Sequence, residues 1–349
     1  MTRKLFHWLL LFTVVATTPL RAADIAFVPF NDLLGWAQDD HQQALQVFVK
    51  SCDDIRSTPQ IPAQDWRGVC ALAKVNAGSA RRFFETHFRP VRITHGAHSL
   101  FTGYFEPILP GSRIRTDVFR YPLYGVPPEL PVGTVWKSRA ELESGVLAGR
   151  GLELVWLKDR VDAFFVHVQG SSRFNLTNGT TMRLGFAGRN GHRYRSVGRQ
   201  MIELGLLRDG QASMANIRAW VLAHPDAAEM VMQLNPSFIF FRELTIDANL
   251  GPLGALQHPL TRMRSIAVDP EFTPLGAPAW LIMPAGSASI NRLMVAQDTG
   301  SAIKGAQRAD IFYGSGITAG NDAGRIRYSG QLITLVPRAT ALRLTGRVD

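Results

Sequence analysis

Three aspartates in the last third of the chain are the groups best suited to acid–base chemistry: Asp269 in AVDP, Asp298 in AQDTG and Asp310 in RADIFYGSG. A fourth carboxylate, Glu106, lies in TGYFEP. Residues 296–316 read AQDTGSAIKGAQRADIFYGSG, with two aspartates, one lysine (Lys304), and no histidine, cysteine or glutamate. The neighbours of Asp310 are mostly apolar: Ala309, Ile311, Phe312 and Tyr313. A carboxyl against such groups titrates high, which suits a general acid. Asp269 precedes Pro270, and Asp298 precedes Thr299 and Gly300. In such turn contexts aspartate bonds the local backbone. Residue chemistry alone therefore favours Asp310 mildly as the acid and reads Asp298 as a turn-fixing group.

Other chemistries find no support. The nine histidines show no HxxxH or HExxH spacing, and the two cysteines are too far apart for a zinc pair. Ser171 and Ser172 follow Gly170 in QGSSRF, which is not the GxSxG of a nucleophile elbow. No phosphate-loop context and no D-x-D-x-D-G calcium run occurs. No metal and no cofactor is expected. Tyr104, Phe105, Trp136, Trp156, Tyr194 and Tyr313 lie beside glycine or polar residues, as rings that hold extended sugar chains do; Trp156, inside a strand, reads as core.

The elements that must position these groups change character along the chain. HQQALQVFVKSC (41–52) places Ala44, Leu45, Phe48 and Cys52 on one helical face. Further helices are expected near 65–74 and 76–88. GLELVWLKDRVDAFFVHVQG (151–170) alternates over two runs with Lys158-Asp159 near the turn, and reads as a β-hairpin. Residues 196–206 look helical. Ser213 caps a helix carrying Ile217, Trp220 and Val221, and Asp226 is read as the cap of the next. Short strand-like runs with Gly/Pro turns then follow to the C-terminus, which suggests a small barrel. Helices at the start could pack on that barrel, leaving the middle as an inserted domain.

The leader MTRKLFHWLLLFTVVATTPLRAAD has a positive start, a short apolar run and a small pair, Ala22-Ala23. That is a signal-peptide layout for residues 1–23, and it implies an exported protein. Cys52 and Cys70 are then natural disulfide partners. The bridge closes a loop of about 17 residues, worth roughly 3 kcal/mol in the chain-entropy picture. The formal charge of +10 draws a protein to polyanions. The basic residues are scattered, which fits an anionic wall or membrane surface better than nucleic acid.

Six ordered motifs carry a family resemblance: TGYFEP (102–107), VHVQGSSR (166–173), YRSVGR (194–199), NPSFIFF (235–241), AVDPEFTPLGAP (267–278) and residues 296–316 quoted above. Together they resemble the lytic murein transglycosylase A family, over roughly residues 45–340. Its C-terminal "3D" domain is named for three aspartates, which fall on Asp269, Asp298 and Asp310. The resemblance implies a mainly β fold: a double-psi β-barrel, an inserted second β-domain, N-terminal helices, and a groove between the domains. The expected division is a helical part over 24–107, the insert over 108–238 and the barrel over 239–349.

The family cleaves the β-1,4 bond between N-acetylmuramic acid and N-acetylglucosamine in peptidoglycan, leaving 1,6-anhydro ends. Its acid falls on Asp310. Thr102, Tyr104, Glu106, Gln169, Gly170, Ser171 and Lys304 are candidates for lining the groove. Asp269 and Asp298 are expected to hold loops that aim Asp310, with substrate contact open to either. A non-catalytic wall-binding protein stays open as an alternative, as does a hydrolase pairing Asp310 with Glu106 or Asp298. Two departures stand out. The family's QGSGR is QGSSR here, with Ser172 in place of glycine. No cysteine precedes Cys52, so a lipid anchor at the end of the signal is not expected. The expected partner is the glycan strand, with no nucleic acid. The expected setting is periplasmic, soluble or peripheral at the outer membrane, as a monomer open to cell-wall synthase complexes.

Overall fold

The computed structural model describes residues 23–96, 98–285 and 288–345. The apolar leader at 1–22 lies outside the described residues. After strand β1 (Asp24–Phe27), helix α1 (His41–Ser51) starts at Asp40, whose carboxylate accepts from the Gln43 N–H. Helices α2 (Arg67–Lys74) and α3 (Ala80–His87) follow, the latter capped by Ser79. Two strands come next, β2 (Phe88–Thr94) and β3 (Leu100–Glu106). Phe48, Trp66, Phe84 and Phe88 from this part share one buried core with Trp280, Leu293 and Val336 from the far end of the chain. The N-terminal helices thus cover the C-terminal sheet, and burial of large aromatic side chains holds them there.

The middle of the chain builds two smaller sheets. Its strands are β4 (Ile108–Gly111), β5 (Tyr121–Tyr124), then a short α4 (Arg139–Glu141) and β6 (Glu153–Leu157). Helix α5 (Arg160–Gln169) precedes β7 (Ser171–Leu176) and β8 (Thr181–Arg189). Helices α6 (Val197–Glu203), α7 (Met214–Ala223) and α8 (Ala228–Gln233) lead to β9 (Ile239–Glu243). The sheet orders are β4-β7-β8-β9 and β5-β6.

Two expectations fail here. The second run of the supposed hairpin is helix α5, not a strand. Asp159 accepts from the N–H groups of Val161 and Asp162, and Gly170 ends the helix at φ 77°. Those two caps outweigh the β-branched and aromatic residues between them. Asp226 does not cap α8; it sits inside a 3₁₀ turn begun by Pro225, and no side chain caps that helix. Ser213 does cap α7, by accepting from Asn216 N–H.

The last part returns to the large sheet with β10 (Ser265–Val268), β11 (Pro278–Ala285), β12 (Ala288–Asp298) and β13 (Arg308–Ser315). Helix α9 (Gly316–Gly324), β14 (Arg327–Tyr328), β15 (Gln331–Pro337) and α10 (Arg338–Thr345) complete the chain. The nine strands run β1-β2-β15-β11-β12-β10-β13-β3-β14, mixed in direction. Among the described residues the order ends at β1 and β14 and does not close on itself. Helix α9 lies directly on β3. A Cβ on Gly103 would stand 2.8 Å from Ala323 Cα, and one on Gly320 would stand 2.7 Å from the Phe105 ring. Both positions admit only glycine at this spacing.

Candidate active site

Strand pairing brings the singled-out residues together. β3 and β13 run parallel, with Thr102 opposite Asp310 and Glu106 opposite Ser315. Ala267 of β10 pairs with Asp310 on one side and with Asp298 on the other. The two aspartates therefore sit two strand spacings apart, about 10 Å between Cα atoms. Alternation along β3 puts Thr102, Tyr104 and Glu106 on one face.

Asp310 is half-buried, reached by solvent yet ringed by protein. The Thr102 hydroxyl donates to its Oδ1 over 2.7 Å. Arg308 Nη2 donates to the same hydroxyl oxygen over 2.9 Å. A hydroxyl has one proton, so the Arg308 contact directs that proton towards Asp310. Burial pushes the Asp310 carboxyl up; the Arg308 charge and the Thr102 hydrogen bond pull the other way without cancelling it. Asp310 accepts no main-chain N–H bond among the described residues.

Asp298 is held differently. Its Oδ1 accepts from the N–H groups of Ala255 (3.0 Å) and Thr299 (2.9 Å), and its Oδ2 from the Tyr104 hydroxyl (3.0 Å). Burial raises it to about 6 against those stabilising bonds, and Asp310 adds repulsion. The Tyr104 phenol is pushed well above its ordinary range by burial and by both carboxylates. It therefore stays protonated as a donor. Its ring lies 5.4 Å from that of Phe312.

Asp269 is buried and fixes a loop. It accepts from Gly305 N–H (2.8 Å) and Glu271 N–H (3.3 Å), and Lys304 Nζ lies 3.3 Å away. Gly305 has φ 113°, a conformation open to glycine. Lys304 is otherwise exposed.

Glu106 is fully buried. Arg173 Nε lies 2.7 Å and Arg183 Nε 2.8 Å from its two oxygens, and Ser315 donates to it over 2.6 Å. Both arginines also donate to the Leu250 carbonyl, at 2.7 and 2.8 Å. One carboxylate thus ties the nine-stranded sheet, the four-stranded sheet and the segment joining them. Gln169 makes a second tie, its Oε1 accepting from Phe105 N–H over 3.2 Å. Gly170 is half-buried and Ser171 buried at the start of β7. The unusual Ser172 donates to the Pro107 carbonyl over 3.1 Å. Cys52 and Cys70 are joined away from this cluster, with Cα atoms 5.6 Å apart.

The sequence, read with its family resemblance, thus names Thr102, Tyr104, Asp298 and Asp310, which meet in one cluster, and Glu106, Gln169 and Ser171, which lie at the junction of the sheets. It missed Arg308, Arg173 and Arg183. Arg308 could have been found as the basic residue two positions before Asp310 on one strand face. The other two approach Glu106 from strands distant in sequence and leave no local signal.

The fold and cluster define a two-part protein whose half-buried carboxylates are placed for acid–base chemistry. The profile of the MltA specific insert domain matches residues 100–242, and that of the 3D domain matches residues 264–336. A membrane-bound lytic murein transglycosylase from Agrobacterium tumefaciens superposes with a TM-score of 0.83 at 35% identity, over 91% of this chain and 99% of that one. The membrane-bound lytic murein transglycosylase A of Vibrio cholerae is 34% identical over 67% of this chain. That match spans 64% of the relative's own length, a little under two thirds. The Escherichia coli MltA with bound chitohexaose superposes with a TM-score of 0.71 at 27% identity, over 92% of this chain and 95% of that one. The chain belongs to the lytic murein transglycosylase A family.

Proposed function

We propose that the protein is a peptidoglycan lytic transglycosylase with Asp310 as its single acid and base. One observation carries this reading. Of the three aspartates, Asp269 and Asp298 accept main-chain N–H groups, whereas Asp310 is held by a hydroxyl alone. Its second oxygen stays available for a proton, and burial favours the protonated form. The chitohexaose bound to the E. coli relative supports a glycan as ligand.

Protonated Asp310 donates to the glycosidic oxygen as the C1–O4 bond of the muramic residue breaks. The resulting carboxylate takes the proton of the C6 hydroxyl, whose oxygen bonds to C1. No water is consumed and no second catalytic carboxylate is needed. An internal nucleophile has an effective molarity on the order of 10⁵ M or more when well oriented. Tyr104, a fixed neutral donor, and Asp298 shape the site beside the charge that develops.

The glycan lies against Thr102, Tyr104, Gln169, Gly170, Ser171 and Lys304. Asp269 fixes its loop. Glu106 has no exposed surface to offer a sugar and acts as the clamp between the sheets. The large sheet is built from β1–β3 together with β10–β15, with the middle of the chain inserted between them, which supports reading it as a double-psi arrangement of strands. The disulfide and the leader suit an exported, periplasmic enzyme acting on glycan strands. Among the described residues no helix is long and apolar enough to cross a membrane.

Release of soluble muropeptides from purified sacculi tests the reading. Wild type releases them. Asp310→Ala loses 10²-fold or more of the rate, the scale of a removed general acid, while still sedimenting with sacculi. Sedimentation without any release by wild type would leave only a wall-binding protein.

A further inference from the structure

Helix α5 carries two distinct contacts. Gln169, at its end, bonds β3 beside the catalytic cluster. Arg160, Ala163, Phe164 and His167, at i, i+3, i+4 and i+7, form a separate stripe. At about 100° per residue, Gln169 faces roughly away from that stripe. The stripe is one wall of a cavity of about 240 Å³. The helix therefore stands between this cavity and the Thr102–Asp310 cluster.

The cavity is lined by charge and rings. Arg139 is buried, with its guanidinium 4.9 Å from the Phe164 ring and 5.1 Å from that of Phe238. It donates to Asn235 O (3.1 Å), Ser237 O (2.7 Å) and Glu143 Oε1 (3.0 Å). A guanidinium has five N–H groups, so two remain without a protein acceptor among the described residues. Arg160 pairs with Glu229 at 2.7 Å and lies 5.4 Å from the Tyr121 ring. Arg120 lies 5.9 Å from the same ring and has no carboxylate partner among the described residues. Three guanidiniums thus meet two carboxylates, Glu143 and Glu229. His167 adds no charge: burial and Arg139 push it well below its ordinary range, and its Nδ1 accepts from Ile239 N–H.

We propose that this cavity is a second binding site, for the carboxylate-bearing terminal amino acid of a peptide, through which the protein holds peptidoglycan stems apart from the glycan cleft. The stem assignment rests on the peptidoglycan reading above. The excess positive charge matches one carboxylate, and free guanidinium N–H groups suit it in geometry. Glu143 and Glu229 accept the N–H of the peptide bond that joins this end residue to the stem. Phe164, Phe238 and Met232 receive an apolar side chain. The volume is below that of a drug-sized pocket, so it admits an end group and not a chain.

Calorimetry with the full chain tests this, using a synthetic stem tetrapeptide, its C-terminal amide, free alanine and chitohexaose. The expected result is one tetrapeptide per chain, with binding weakened tenfold or more by amidation and by Arg160→Gln. Arg120→Gln, at an exposed position that keeps the fold, weakens it as well. Chitohexaose does not displace the peptide. The proposal is overturned by no binding, by equal binding of the amide, by indifference to both substitutions, or by displacement with chitohexaose. Alanine binding as tightly as the tetrapeptide overturns the stem assignment. None of these readouts needs turnover, so failure of the catalytic reading shows separately, as the absence of cleavage of sacculi.

Discussion

Thr102 sits opposite Asp310 in a parallel strand pair, and its hydroxyl lies 2.7 Å from the carboxylate while accepting from Arg308 on its other side. The pair holds the carboxyl by one oxygen and favours its ionised form, against the burial that favours the neutral one. Thr102→Val removes the bond and leaves the burial. Asp310 then titrates higher still. Activity needs the protonated acid, so the alkaline limb of the pH–rate profile moves to higher pH. The rate at the optimum falls by about fivefold as the carboxyl loses its orientation, a loss of roughly 1 kcal/mol per hydrogen bond. A pH profile on sacculi measures both effects.

Arg308→Gln separates charge from position. The Arg308 charge opposes the rise at Asp310, so its removal also moves the alkaline limb upward. A glutamine amide can still donate to Thr102, so the loss at the optimum is smaller than in Thr102→Val. An unchanged limb would show that the charge is screened from Asp310.

Asp298 predicts a stability effect with a definite sign. Its folded value is raised to about 6 from the usual 3.8. Between those values the folded chain holds more protons than the unfolded one, so this group's contribution to stability falls as pH rises from about 4 to about 6. Its size is up to roughly 3 kcal/mol, at 1.36 kcal/mol per unit. Asp298→Asn keeps an oxygen for the Ala255 and Thr299 N–H groups and removes the titration. Urea unfolding at pH 4 and pH 7.5 should show a smaller difference between the two pH values in the variant than in wild type.

Much of this arrangement was legible in the sequence, for reasons specific to each part. The C-terminal strands and the helices after Asp40, Ser79 and Ser213 follow apolar periodicity and caps, which are local signals. Helix α5 was read as a strand because Val161, Phe164, Phe165, Val166 and Val168 have the composition of one. The deciding signals were Asp159 and Gly170 at its two ends. Asp310 was favoured by its apolar neighbours, and the structure supplies the burial behind that preference. The Thr102 contact joins residues 208 positions apart, which no local pattern reveals. Glu106 is expected in the groove only because the family resemblance places TGYFEP there. The arginines that bury it come from two other strands.

Glu106→Ala leaves Arg173 and Arg183 facing each other without their shared carboxylate. Breaking a buried ion pair by deleting one partner costs about 3–5 kcal/mol. Glu106→Gln retains a hydrogen-bond acceptor and should cost less. The midpoint of urea unfolding orders the three proteins as wild type, Gln, then Ala; equal midpoints would remove the clamp.

Gly103→Ala tests the seat of α9 on β3. The added methyl would stand 2.8 Å from Ala323 Cα and 2.9 Å from its carbonyl oxygen. Backbone must move, at a cost of about 1–3 kcal/mol. The displacement reaches Thr102 next to it, so activity falls further than in Gly68→Ala, where nothing lies within 4 Å. Equal activity in the two variants would show that β3 tolerates the shift.

The central claim is that one carboxyl serves as acid and then base, with the sugar's own hydroxyl as nucleophile. Mass spectrometry of the products from purified sacculi tests it most directly. Wild-type protein should give muropeptides that lack one water relative to the reducing forms, and Asp310→Asn should give almost none. Reducing ends from the wild-type protein, or full activity in Asp310→Asn, would contradict the account.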